Sequence, residues 1–368
     1  MISPIELRHK LHKNPEIAYQ EFKTTELISE SIKNSDPKNQ LKIHRPFPTG
    51  LLVEYTVNTD PYILFRADID ALPIKEETEY PFKSGNDFMH ACGHDVHTSI
   101  LYSLIQEVLK NPTKQNLLFL FQPAEESGGG AMKFYETGIF GQFEIKNAFA
   151  LHITDEYAEG TIASTSGVLF ASALEIDIDF RGISAHVAFP GEGKNAFTAL
   201  RYFMDEADKL YSKINDPFIF GVGKIYSGFV RNIAPGNARI EGSIRSLSEE
   251  KALEFCDELI NLLELMKNKT GVNYKLSKGA HYPEVIVDDK LFKSLSNKLA
   301  ANYQFIDCGY KMTGEDFGFF SKKFPSFMFW LGTSKGERYG LHNPKFLPAD
   351  DTIETGKNIF AEILQLSM

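Results

Sequence analysis

The sequence is poor in cysteine, in basic clusters and in long apolar runs. Its 368 residues include three cysteines, too few and too scattered for a disulfide framework. No apolar stretch approaches the ~18 residues that a membrane span needs. The segment Met1-Ile2-Ser3-Pro4-Ile5-Glu6-Leu7 is not a charged region followed by an apolar one, so no signal peptide is expected and a cytoplasmic place is. Net charge is −10 and no basic cluster interrupts it, which argues against nucleic acid or an anionic membrane as the main partner. Neither a Gly-x-x-x-x-Gly-Lys-Ser/Thr loop nor a Gly-x-Gly-x-x-Gly turn occurs, and no redox motif stands out. Repeats and low-complexity tracts are absent as well.

Against these absences, one stretch is dense in chemistry: His90-Ala91-Cys92-Gly93-His94-Asp95-Val96-His97. His90, Cys92, His94 and His97 can each bind a transition metal, and Asp95 can orient a ligand. Cys92 and His94 lie two apart, so an extended or turning segment projects them to the same side. Thiolate plus imidazole suits zinc or another late first-row metal. The bland alternative is a buried cysteine beside satisfied core histidines. A structural zinc finger is disfavoured further, because Cys256 and Cys308 form no second pair at ligand spacing.

Length allows two domains, and 43% hydrophobic residues with 12% aromatics allow a real core. Ser3, Pro4 and Glu6 read as a capping box with Pro at the first helical position, and Leu7 and Leu11 share a face of that helix. A second helix from about Tyr19 to Lys33 has Phe22, Leu27 and Ile28 as expected core residues. Strands follow, and the run Tyr62–Arg66 leads into Ala67-Asp68-Ile69-Asp70. The next helix is expected from about His97, with Cys92 and His94 in the loop entering it. The strand Asn116–Phe121 ends in Gln122-Pro123-Ala124-Glu125-Glu126, and Asn147–Leu151 ends at His152. Three strand ends thus deliver Asp70, Glu125 with Glu126, and His152, the kind of place where open α/β sheets keep their sites.

The rhythm then changes to β-α-β-β-α-β over residues 173–282, the ferredoxin-like arrangement. Its first helix, from Ala196, has Phe197, Leu200, Phe203, Met204 and Leu210 as apolar set. The α/β pattern resumes over 283–368, and His342 lies just past an apolar strand. The fold class is therefore α/β: a mixed-sheet catalytic domain made of 1–172 and 283–368, with a ferredoxin-like domain inserted at 173–282.

Cys92, His94, Glu126, His152 and His342 are the candidate metal ligands. Five exceed the three protein ligands of a mononuclear catalytic zinc, so two divalent ions would use them better. Glu125 is the expected general base and Asp70 a support that orients a ligand. This constellation suits amide hydrolysis. His186 follows a strand and reads equally well as a surface histidine; Asn232 and Arg245 fall near strand ends. Arg245 could clamp a substrate carboxylate, or sit in a surface salt bridge. Glu315 and Asp316 read as support behind the ligands or as a solvated loop.

Arg66–Pro73, His90–Asp95, Gln122–Glu126, Leu151-His152 and Leu341-His342 together resemble the aminoacylase/carboxypeptidase superfamily of co-catalytic metallopeptidases, in its amidohydrolase branch. The likeness implies a zinc-peptidase-like catalytic domain, an inserted lid that also dimerises, and two divalent metal ions, zinc first, with manganese, cobalt or nickel tolerated. It implies metal binding by Cys92, His94, Glu126, His152 and His342, with Glu125 as base. His186 would stabilise the oxyanion, and Asn232 and Arg245 would bind substrate. The substrate would be an N-acyl amino acid. Gly160–Ala163, Gly167–Ala171, Thr313–Gly318 and Phe327–Gly332 are most similar to the N-acetyldiaminopimelate deacetylases of lysine synthesis, with general aminoacylases, hippurate hydrolases or indole-acetyl-amino-acid hydrolases as the alternative. A non-catalytic metal-binding scaffold is the remote one. The family's Gly-Lys-Gly-Gly-His is here Gly182-Ile183-Ser184-Ala185-His186, and its histidine after the following proline is missing near Pro190-Gly191-Glu192.

Overall fold

A computed structural model describes residues 1–366. The chain begins with helices α1 (Pro4–Lys13) and α2 (Phe22–Ser35). Strands β1 (Leu41–His44), β2 (Leu51–Tyr55) and β3 (Tyr62–Asp68) follow. Then come α3 (His94–Lys110), β4 (Asn116–Gln122), α4 (Gly130–Glu136), β5 (Ile145–Ala158), β6 (Ile162–Ser164) and β7 (Gly167–Phe170). The next stretch holds β8 (Ser172–Arg181), β9 (Ala185–His186), α5 (Ala196–Tyr211), β10 (Phe218–Ser227), β11 (Ile233–Ala234), β12 (Asn237–Ser246), α6 (Glu249–Thr270) and β13 (Asn273–Tyr282). The chain closes with β14 (Val285–Val287), α7 (Asp289–Leu299), β15 (Phe305–Asp307), α8 (Gly318–Ser321), β16 (Ser326–Ser334) and α9 (Thr352–Leu366).

The described chain divides into two compact units. The first comprises 1–169, 285–310 and, among the described residues, 316–366. Its eight-stranded sheet has the order β1-β2-β4-β3-β5-β16-β6-β15. The β4-β3-β5-β16 centre is parallel, and β1, β2 and β6 supply antiparallel pairs. Such central strands are covered on both faces and read as continuous apolar runs, as β4 does with every residue buried. After β3 the chain places β4 on one side and β5 on the other. The carboxyl end of β3 is thus a topological switch point, where α/β sheets form clefts.

The second unit comprises 170–284 and 311–315. Its antiparallel sheet has the order β10-β12-β8-β13, the strand order of a ferredoxin-like fold. One face carries Leu174, Ile176, Ile178, Ile240 and Ile244 against α5 and α6. The short piece 311–315 joins this unit through the bridge from Phe170 to Lys311.

Three expectations are corrected. Phe22 is 56% exposed, because the buried stripe of α2 runs through Thr25, Ile28, Ser29 and Ile32 and begins a turn after it. Phe197 is 46% exposed, because the inward stripe is Ala196, Leu200, Phe203 and Ala207, about 100° round the helix from it. Helix α3 starts at His94 rather than His97, since Gly93 takes the left-handed conformation (φ 81°) and turns the chain into the helix at once.

Candidate metal centre

Four segments of the first unit converge at the switch point. Gly93 turns between Cys92 and His94, and a Cβ there would stand 2.2 Å from Ile153. Beyond β4, Ala124 is left-handed (φ 54°) and is held by a buried carboxylate, Glu21 Oε1, which accepts its N–H at 2.8 Å. Glu126 N–H donates to Asp70 Oδ2 at 3.0 Å, and Tyr19 Oη donates to Gly128 O at 2.6 Å. These bonds fix the Glu125-Glu126 turn without regular secondary structure. His152 lies within β5. His342, also left-handed (φ 62°), donates its N–H to Ala91 O at 2.9 Å, next to Cys92.

The side chains meet as their backbones suggest. Cys92 Sγ is 3.4 Å from His152 Nε2 and 3.3 Å from His342 Nε2. Glu126 Oε1 is 3.4 Å from His342 Nε2 and 3.8 Å from His94 Nε2. All five expected ligands therefore fall in overlapping clusters of possible metal-binding atoms, and Glu125 joins His94 and Glu126. The outer ring nitrogens are occupied. His152 Nδ1 donates to Ile153 O at 2.7 Å, and His94 Nδ1 donates to Asp70 O at 3.0 Å. Each Nε2 thus keeps its lone pair for the centre.

The electrostatics call for a cation. His94 Nε2 and Glu126 Oε1 are buried with no hydrogen-bond partner among the described residues, a costly arrangement unless an ion completes it. Burial would lower the His94 imidazole, yet Asp68, Asp70 and Glu126 push it up to about 10. Burial first, then Glu126, Glu125 and Asp68, raise the Cys92 thiol well above its ordinary value. A thiolate there needs positive charge beside it. A thiol, imidazoles and a carboxylate, all aimed inward, fit a transition-metal site.

The sequence profile described as peptidase family M20/M25/M40 matches residues 64–366. The chain belongs to this family. An N-acetyldiaminopimelate deacetylase of Geobacillus sp. (strain WCH70) is 38% identical over 365 residues, 96% of each chain. One from Exiguobacterium sibiricum is 37% identical over 354 residues, 95% of each chain. Among solved structures, the Bacillus subtilis YXEP protein, a dinuclear metal binding peptidase from the M20 family, superposes with a TM-score of 0.81. It is 28% identical and covers 99% of this chain and 98% of its own. This M20 chain is a hydrolase acting on amides.

Behind the candidate ligands lies a buried layer that the sequence reading mostly missed. His97 Nδ1 donates to Asp68 Oδ1 at 2.6 Å, and its Nε2 accepts the Ile153 N–H at 2.9 Å. Both nitrogens are engaged, so His97 holds its neighbours and keeps no lone pair for a metal. Arg66 donates to Asp68, Gln122 and Asp316, each at 2.8 Å. Asp316 also accepts from Gln122 and from Ala131 N–H at 3.0 Å, so it is a buried support and not a solvated loop residue. Glu315 is buried too. Asp95 does not orient a ligand. It accepts from His12 Nδ1 at 2.9 Å and from Arg8 Nε at 3.2 Å, tying α3 to α1. His90 sits apart from the clusters, and burial lowers its imidazole to about 4. A lone arginine inside the apolar run Tyr62-Ile63-Leu64-Phe65-Arg66 was the available sign of this layer.

The remaining expected residues lie in the second unit. His186 is exposed on β9, opposite Ile233 of β11, and the Asn232 carbonyl accepts the Val187 N–H at 3.0 Å. His186 and Asn232 are thus brought together. Arg245 is half-buried on β12, on the sheet face away from the helices, and its Nε donates to Ser243 Oγ at 3.1 Å. Burial lowers its guanidinium against the pull of Glu175. A Cβ at Gly314 would stand 2.6 Å from Arg245 Nη1, so this glycine leaves the guanidinium its room.

Proposed function

We propose that the chain removes the acetyl group from N-acetyl-L,L-diaminopimelate, giving acetate and L,L-diaminopimelate, in the cytoplasm. The observation that carries this reading is the 37–38% identity over 95–96% of the chain to N-acetyldiaminopimelate deacetylases. Two divalent ions, zinc for preference, would be held by Cys92, His94, Glu126, His152 and His342. Manganese, cobalt and nickel tolerate the same donors. Bound there, such ions supply acidity to water and polarise an amide carbonyl.

The protein groups do the rest. Glu125, buried beside Glu126, takes a proton from the attacking water as the C–O bond forms. It passes that proton to the nitrogen as the C–N bond breaks, so the amine leaves neutral. Asp70 holds His94 through Nδ1 and Glu126 through its N–H, which keeps both aimed while charge moves. Residues 173–282 serve as a lid and dimerisation domain, with His186 donating to the oxyanion and Asn232 and Arg245 contacting substrate. Apolar side chains around His186 support a partner surface there: Val187, Phe189, Val230 and Ile233 are exposed, and Phe229 is 96% exposed.

The test is amine release by the metal-reconstituted protein from N-acetyl-L,L-diaminopimelate, N-acetylmethionine, hippurate and an indole-acetyl amino acid. Strong preference for the first is expected. Preference for another keeps the chemistry and replaces the substrate. Glu125→Gln is the control: turnover should fall at least ~10²-fold with metal still bound. Full activity in that variant would remove Glu125 from the mechanism.

A further inference from the structure

His342 poses a problem of placement that the metal reading leaves open. It stands in a stretch between β16 and α9 with no helix or strand, and residues 335–339 leading to it are exposed. Its side chain is itself 52% exposed. Gly340 (φ 83°) and His342 (φ 62°) are both left-handed, a conformation that histidine keeps only where its surroundings hold it. An exposed, strained loop is a poor carrier for a ligand that must be fixed to within a fraction of an ångström.

What holds the turn is a side chain with no assigned role. Asp155 lies three residues beyond His152 on β5 and is 6% exposed. Its Oδ2 accepts the Tyr339 N–H at 2.6 Å and the Gly340 N–H at 2.9 Å. Two residues on, the His342 N–H donates to Ala91 O at 2.9 Å. The turn is thus pinned on one side to β5 and on the other to the segment that carries Cys92. Bonds from backbone N–H to a carboxylate are charge-assisted, roughly twice as strong as neutral ones.

We infer that Asp155 is the positioning residue for His342. Its carboxylate clamps the 339–340 turn so that His342 Nε2 stands 3.3 Å from Cys92 Sγ and 3.4 Å from Glu126 Oε1. One strand then supplies both a ligand, His152, and the anchor of another, so the spacing between the two is set by rigid β-sheet. Asp155 touches neither substrate nor ligand in this role. It acts through the backbone of the loop.

This inference rests on His342 being a ligand, and the experiment separates the two. Apo full-length protein is titrated with cobalt(II) alone, following thiolate-to-metal absorption from Cys92 and the metal-to-protein ratio. Removing the partner that orients a ligand typically costs ~10- to 100-fold in metal affinity. Asp155→Ala should therefore bind its weaker cobalt ion at least ~10-fold less tightly. Asp155→Asn, which keeps an acceptor but loses the charge, should weaken it only about two- to threefold. A merely structural role would lower Tm and leave both titrations like the parent's, and that result overturns the proposal. His342→Ala is the control: if it binds cobalt like the parent, the ligand reading of His342 falls. If it loses an ion while Asp155→Ala does not, only the role of Asp155 falls. Should Asp155→Ala fail to fold, Asp155→Asn decides alone, and binding identical to the parent's counts against the clamp.

Discussion

Each compact unit holds an arginine ringed by acceptors, and the two could hardly be placed more differently. Arg66 in β3 is fully buried and donates to Asp68, Gln122 and Asp316, all buried as well. Arg239 in β12 donates to Asp177, Asp179 and Glu241 on the open face of the second unit's sheet. There the arginine and its partners keep roughly a third of their side-chain surface in water. On paper the contact sets look alike. The dielectric around them does not, and that decides what each set does. A buried network is costly to assemble and costlier to break, so it fixes geometry behind the candidate metal ligands. An exposed network is screened, and its members remain free to exchange partners.

The largest effect expected on that contrast comes from Arg66→Ala. It leaves Asp68 and Asp316 buried without their cation, which typically costs about 3–5 kcal/mol. Asp68 would suffer most. Burial raises its carboxyl, and only His94, His97 and Arg66 hold it well below the usual range. Thermal unfolding of the first unit should show a Tm lower by about ten degrees, given roughly 2–4 °C per kcal/mol in a domain of about 150–250 residues. A melt within a degree or two of the parent would mean that water enters the layer, and the comparison would lose its premise.

The same contrast explains what the sequence disclosed. Cys92 and His94 were legible because ligand types that no core requires stand two residues apart. Glu126 and His342 were legible as polar residues soon after apolar strands, whereas His152, expected at a strand end, lies inside β5, which runs on to Ala158. The fold followed from pattern: β8-α5-β10-β12-α6-β13 announces itself by its alternation. The layer behind the ligands was hidden, because its partners are far apart in the chain. Arg66 meets Asp316 across 250 positions, and His12 meets Asp95 across 83. A single charged residue is by default a surface residue, so apart from the apolar run around Arg66 nothing local marks the burial of these groups. Asp95 was misread for this reason: its neighbours in sequence are candidate ligands, while its partners in space are Arg8 and His12. Phe22 and Phe197 erred the other way, since apolar type says little about exposure at a helix's first turn.

A middle-sized effect belongs to His12, buried between Asp95 and Glu76. Burial pulls its imidazole down, but Asp95 and then Glu76 hold it up to about 9, against an ordinary 6.5. Because the folded value is the higher one, this stabilisation is fully present below about pH 6.5 and is lost as pH rises through about 9. The linked free energy is on the order of 3 kcal/mol. Melts of the metal-saturated protein between pH 6 and 9.5 should therefore fall more steeply for the parent than for His12→Gln. Parallel pH profiles would show that Asp95 is satisfied by Arg8 alone and that His12 carries no charge of consequence.

Arg239→Ala should do least. The half-buried ring stays open to solvent, so removing the guanidinium strands no charge in a low dielectric; it leaves Asp177, Asp179 and Glu241 facing water and one another. Their mutual repulsion is the only cost, and salt screens it, since the Debye length falls from about 10 Å at 0.1 M to about 3 Å at 1 M. The expected loss in Tm is under about 2 °C at low salt and vanishes at high salt. Arg66→Ala, by contrast, should keep most of its deficit in 1 M salt, because ions do not reach the layer beneath the ligands. Measuring both variants at both salt concentrations sets the two arginines directly against each other. A salt-resistant loss at Arg239 would mean that this sheet face is covered in solution, and the surface we treat as open would have to be read as an interface.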